Sequence, residues 1–127
     1  MVSFDGNTAP YLLYAYTRVM GIFRKGNIGE EEFYGQVVLA VRAERDLAIH
    51  LLRFPETVKQ TASEAAPHHL CGYLYMLAGL FMTFYETCPV LGGEGPLRES
   101  RLKLSLLTAR TLSMGLSLLG IGTLDRM

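Results

Sequence analysis

Between Pro67 and Pro89 the chain carries sixteen consecutive residues, Leu70 to Tyr85, without a single charge. Such a segment must be withdrawn from water, and everything else has to be arranged around it. It is shorter than the roughly 18–20 apolar residues that span a bilayer, and Gly72, Tyr73, Tyr75 and Gly79 dilute it. A buried central helix is the expected form. The prolines set its limits: at the first turn a missing N–H costs nothing, and just past the end a proline cannot continue the helix.

The remaining punctuation is also helical. Asn7 or Thr8 caps a first helix with Pro10 in its first turn, running to Arg24 and Lys25 and stopping at Gly26. Residues 26–35, with the acidic run Glu30 to Glu32, form a turn-rich linker, and a short helix is expected around Gln36 to Arg42. A further helix over about Glu44 to Phe54 places Leu47, Leu51 and Phe54 at core spacing, until Pro55 breaks it and starts another through Glu64. Gly92, Gly93 and Gly95 mark a long loop, and a leucine-rich helix from about Leu97 to Leu119 closes the chain. No strand-like alternation competes. The expectation is one all-α domain over residues 1–127, a bundle of five or six helices.

Half of the 127 residues are apolar and 19% are charged, which excludes intrinsic disorder. Twelve basic and twelve acidic side chains balance, so neither a nonspecific nucleic-acid coat nor a polybasic membrane anchor is expected. On charge alone, a small-molecule or protein partner is favoured. Cys71 and Cys88 are too few for a disulfide framework and fit a reduced, cytoplasmic pair; no signal peptide is visible. His68, His69, Cys71 and Cys88 lack the second ligand pair that a tetrahedral metal site needs, so no metal is expected; either histidine is an alternative phosphate contact. The glycines near Gly92 are not followed by Lys-Ser/Thr, so no phosphate loop is expected, and no catalytic constellation stands out.

On the first helix, at about 100° per residue, Leu12, Tyr16, Val19, Met20 and Phe23 gather on one side. Tyr11, Tyr14 and Arg18 lie together away from that stripe. Two tyrosines beside a guanidinium form a suitable stacking platform for splayed-out bases. The competing reading is that both rings pack against a neighbouring helix. On the last helix, Arg98, Arg101, Lys103 and Arg110 are either solvent-facing charges opposite a leucine face or, for Arg101 and Lys103, contacts to an RNA backbone.

The wording of several segments, in order, carries a resemblance. The start, Ser3 to Tyr11 (SFDGNTAPY) followed by Tyr14 to Arg18 (YAYTR), is similar to the opening of the C-terminal domain of arginyl-tRNA synthetases, the bacterial members most of all. Phe84 to Val90 (FYETCPV), Arg101 to Leu104, Thr108 to Leu112, and the ending from Gly115 to Met127 continue it. The chain thereby resembles the all-helical, DALR-type anticodon-binding domain of a class I ligase, an excised C-terminal piece with nothing like the His-Ile-Gly-His or Lys-Met-Ser-Lys signatures of the catalytic half.

The resemblance implies a partner, the anticodon stem-loop of tRNA(Arg), with a middle cytosine to be read. It implies no DNA and no membrane, and a catalytic domain elsewhere in the parent chain that uses ATP with Mg2+, leaving this part non-catalytic and without a cofactor. Position by position, it implies stacking by Tyr14 with Tyr11 one turn earlier, a loop contact by Arg18, an aromatic near the middle base at Tyr85, and a C-terminal methionine, Met127, reaching the same pocket. Where some members carry a further aromatic, this sequence has Pro89. The alternative from a different class is a helical protein–protein or dimerisation module, with Tyr11, Tyr14 and Tyr85 buried in a self-interface.

Overall fold

A computed structural model describes residues 8–26, 37–90, 92 and 95–120. Among these residues five helices follow one another: α1 (Thr8–Gly26), α2 (Arg42–Leu52), α3 (Phe54–Glu64), α4 (Pro67–Thr87) and α5 (Gly95–Leu118). There is no strand among the described residues, in keeping with the expected all-α bundle. No helix is long and apolar enough to cross a membrane among them. The uncharged segment forms α4, which touches each of the other four helices. Leu70, Leu74, Leu77, Ala78, Phe81 and Phe84 recur on it at helical spacing, and all six are buried.

One expected element is absent. Residues 37–41 are not helical, and Arg42 is already the first residue of α2. β-branched Val37, Val38 and Val41 are weak helix formers, and side chains offer this backbone other partners. The Val38 N–H donates to Ser100 Oγ at 2.7 Å, and Glu44 Oε1 accepts from the N–H groups of Ala40 and Val41 at 2.9 and 2.8 Å. Val41 has no side-chain acceptor, so this is only the returning half of a capping box.

Pro55 acts as expected, and the result is a bend rather than a loop. Arg53 alone separates α2 from α3, with φ −86° and ψ −2°, and the helix restarts through Thr57 N–H to Arg53 C=O at 3.0 Å. A second interruption at Ala65, in the left-handed region at φ 50°, releases the chain into α4.

Two devices lock the bundle. The first is close approach: a Cβ placed on Gly115 of α5 would lie 2.6 Å from Leu74 Cδ2, so only glycine lets α5 settle so near α4. The second is a buried ion pair between α2 and α5. Glu44 has no exposed surface, and its Oε2 accepts from Arg101 Nε at 2.9 Å. Arg101 Nη1 also donates to the Pro89 carbonyl at 2.9 Å, which ties down the chain beyond α4. Arg101 is thus committed to the interior, and the expectation that it lines an RNA backbone does not hold. A guanidinium that satisfies a buried carboxylate cannot leave without stranding that charge.

Candidate nucleic-acid interface

The first helix buries the side that its periodicity indicates. Leu12, Tyr16, Val19 and Phe23 are buried, Met20 is partly so, and Ala15 and Ile22 widen the stripe. Tyr14 and Arg18 are left on the surface, with Tyr14 53% exposed. They lie one turn apart, and Arg18 Nη1 donates to the Tyr14 hydroxyl at 2.6 Å.

Tyr85 arrives from α4, 67 positions further along the chain than Arg18. It is half-buried because its ring stacks on Phe81 one turn earlier, with centroids 6.0 Å apart and planes 19° apart. Phe81 is fully buried, so Tyr85 stands on the core. The Arg18 guanidinium carbon then lies 5.7 Å from the Tyr85 ring centroid and 5.8 Å from that of Tyr14. Both distances are within reach of cation–π attraction. Three of the residues singled out from the sequence are therefore brought together, a cation over two aromatic rings.

Tyr11 belongs to the same face but packs against a ring that sequence reasoning did not single out. Its centroid is 5.0 Å from that of Tyr75 on α4, with planes 41° apart. Burial, then the neighbouring Tyr75, raises the Tyr11 phenol above its ordinary value, so it stays neutral. For Tyr11 the competing reading, packing against a neighbouring helix, is the observed one. Tyr75 itself is 56% exposed. The signal that would have found it was the uncharged run itself: a tyrosine there whose ring is not used by the core is available for something else.

Charge is distributed unevenly. α1 carries Arg18, Arg24 and Lys25 and no carboxylate, and α4 has none before Glu86. The flank shared by these helices thus offers cations and aromatic rings with no acid from Thr8 to Gly26 or from Pro67 to Tyr85. Zero net charge for the chain conceals this asymmetry. On α5, Lys103 is half-buried and Arg110 is exposed, each with an interaction partner. Met127 lies outside the described residues, as do Glu30 to Glu32.

Cys71 and Cys88 are buried free thiols, and burial pushes the Cys88 thiol upward. His69 is taken by Glu64, Nε2 to Oε1 at 2.8 Å, and the His68 ring lies beside it with centroids 4.4 Å apart and planes tilted by 42°. No group of three or more His, Cys, Asp or Glu side chains is placed to hold a metal ion among the described residues.

The sequence profile described as "DALR anticodon binding domain" matches residues 12–127. An arginine–tRNA ligase of Pseudomonas syringae pv. syringae is 57% identical over 128 residues, and one of Hahella chejuensis is 57% identical over 127. Each alignment takes in 100% of this chain and 22% of the relative, so the chain spans about a fifth of their length. Among solved structures, the Thermus thermophilus arginyl-tRNA synthetase superposes with a TM-score of 0.83 at 40% identity, over 98% of this chain and 22% of that one. The Plasmodium falciparum arginyl-tRNA synthetase gives 0.82 at 31% identity, over 92% and 21%.

Proposed function

We propose a function from one premise: the chain belongs to the DALR anticodon binding domain family. It is the anticodon-reading part of an arginine–tRNA ligase, and residues 1–127 are one domain whose partner is the anticodon stem-loop of tRNA(Arg). Tyr14 and Tyr85 stack on an unpaired loop base, Arg18 supplies the charge and the edge-directed donors, and Tyr11 supports the platform. Met127 and Lys103 contribute from the C-terminus and from α5. The chemistry belongs to the catalytic remainder of the ligase, which activates arginine with ATP and Mg2+; this chain holds the substrate in register for it.

The observation that carries the reading is the position of Arg18 over both Tyr14 and Tyr85, on an α1 that has no carboxylate and beside a stretch of α4 that has none before Glu86. Loop bases are recognised by stacking and by hydrogen bonds to their edges, each stacked base contributing about 1–3 kcal/mol. Such a site works with few cations, so a neutral chain is no obstacle.

The test is binding of tRNA(Arg), with its own and with an altered middle anticodon base, to full-length ligase carrying this domain. The unaltered domain should discriminate strongly, whereas Tyr14→Ala and Tyr85→Ala should lose most of that discrimination. Equal discrimination by all three proteins would refute the assignment.

A further inference from the structure

Tyr11 meets Tyr75 near one end of the α1–α4 flank, and Arg18 meets Tyr85 near the other. The order of these contacts means that α1 and α4 run in the same sense along it. Tyr11 and Arg18 are seven residues apart on α1, about 10 Å along its axis, and Tyr75 and Tyr85 are ten apart on α4, about 15 Å. The flank therefore carries two aromatic stations, not one.

We infer that the Tyr11–Tyr75 pair is a second base-stacking subsite, in which the exposed ring of Tyr75 takes an unpaired base of the same RNA strand that occupies Tyr14, Arg18 and Tyr85. The inference rests on the proposed function and adds a residue and a length to it. At the roughly 3.4 Å per nucleotide of a stacked strand, a separation of up to about 15 Å corresponds to at most about four nucleotides, and to fewer where the bases are unstacked. Tyr11 is half-buried and tilted by 41° against Tyr75, so it serves as a backing that fixes Tyr75 rather than as the stacking surface. Between the stations α1 contributes only one charged side chain, Arg18, and α4 contributes none, so no carboxylate repels the connecting phosphates. An aromatic ring on such a surface accepts any base, because every base has a π-face. This predicts a subsite that adds affinity and register without sequence preference, unlike the one at Tyr14.

The experiment uses anticodon stem-loops of tRNA(Arg) with 2-aminopurine placed at one loop position at a time, bound to full-length ligase. Stacking on a tyrosine quenches the probe. Tyr75→Ala should restore fluorescence at a loop position two to four nucleotides from the one restored by Tyr14→Ala, and should weaken binding about tenfold. Tyr75→Phe should keep both the quenching and the affinity, which a loss of fold would not reproduce. If Tyr75→Ala leaves every probe quenched and affinity unchanged while Tyr14→Ala weakens binding, the second subsite is wrong and the anticodon reading stands. Release of the same probe by both variants would also overturn it, since there would be one station. If neither variant alters binding, the anticodon reading fails and the second subsite with it.

Discussion

The Arg18 guanidinium of α1 sits 5.7 Å from the ring centroid of Tyr85 on α4, while its Nη1 donates to the Tyr14 hydroxyl at 2.6 Å. One cation thereby joins two rings that the chain brings from distant positions. Its planar shape is what allows it to face a ring and donate a hydrogen bond together.

Lysine should therefore not replace it. Arg18→Ala is expected to weaken stem-loop binding to the ligase about tenfold and to lower the slope of log K against log salt by roughly 0.7, the value for one phosphate contact on a single strand. Arg18→Lys should keep the slope but not the affinity. Anisotropy titrations at several salt concentrations separate the two effects; a lysine variant with full affinity would show that charge alone matters.

The pair of Glu44 and Arg101 should matter for stability and not for RNA. Arg101→Met leaves a buried carboxylate without its cation, an error that costs about 3–5 kcal/mol. Adding Glu44→Gln should recover part of it, because the amide oxygen still accepts from the N–H groups of Ala40 and Val41. Denaturant melts measure the recovery. Arg101→Met should leave the salt slope of RNA binding, measured below the melting transition, unchanged.

His50 gives the fold a pH dependence. Its ring stacks on Tyr73 at 4.1 Å, its Nε2–H donates to the Tyr73 carbonyl at 3.0 Å, and the Tyr73 hydroxyl donates back to the His50 carbonyl at 2.6 Å. Burial lowers the imidazole below its ordinary 6.5, and Arg53 lowers it further, while the bond to Tyr73 opposes them. The unfolded chain then takes up a proton near 6.5 where the folded chain does not. Stability from this site is complete above 6.5, declines as pH falls from there to the folded value, and levels off below it. Unfolding free energies of wild type and His50→Gln, compared from pH 7.5 downwards, should converge across that window. A constant difference would exclude the effect.

Gly115→Ala tests the packing of α4 against α5. The added methyl would lie 2.6 and 2.7 Å from the two methyl carbons of Leu74, which has no exposed surface into which to retreat. Overpacking costs about 1–3 kcal/mol, against about 1 kcal/mol gained in helix propensity. A net loss is expected by thermal or chemical denaturation, and it should shrink in a Leu74→Val background where the clash is relieved.

Much of this protein follows from local chemistry. Prolines 55, 67 and 89 set helix limits because ring closure removes an N–H and crowds the preceding turn, whatever the surroundings. The uncharged run has to be the central helix because no other place hides it. That Tyr14 and Arg18 lie on the exposed side of α1 follows from a period of 3.6; that Tyr11 is half-buried against Tyr75 does not. The short helix expected around 36–42 is missing at 37–41 partly for local reasons, the valines and Glu44, and partly because the Val38 backbone is claimed by Ser100, 62 residues beyond it, which no local window contains.

What the sequence by itself determined was the all-α class, the central helix and the family, since spacing and wording are properties of the chain. Only the tertiary structure decided which cations are spent inside and which rings meet. Arg101 and Arg18 look alike in sequence, yet one neutralises a buried glutamate and the other covers two rings. Tyr75 acquired its place beside Tyr11 in the same way. Such outcomes depend on how whole helices approach one another, and that is set by the sum of many small packing contacts rather than by any neighbour along the chain.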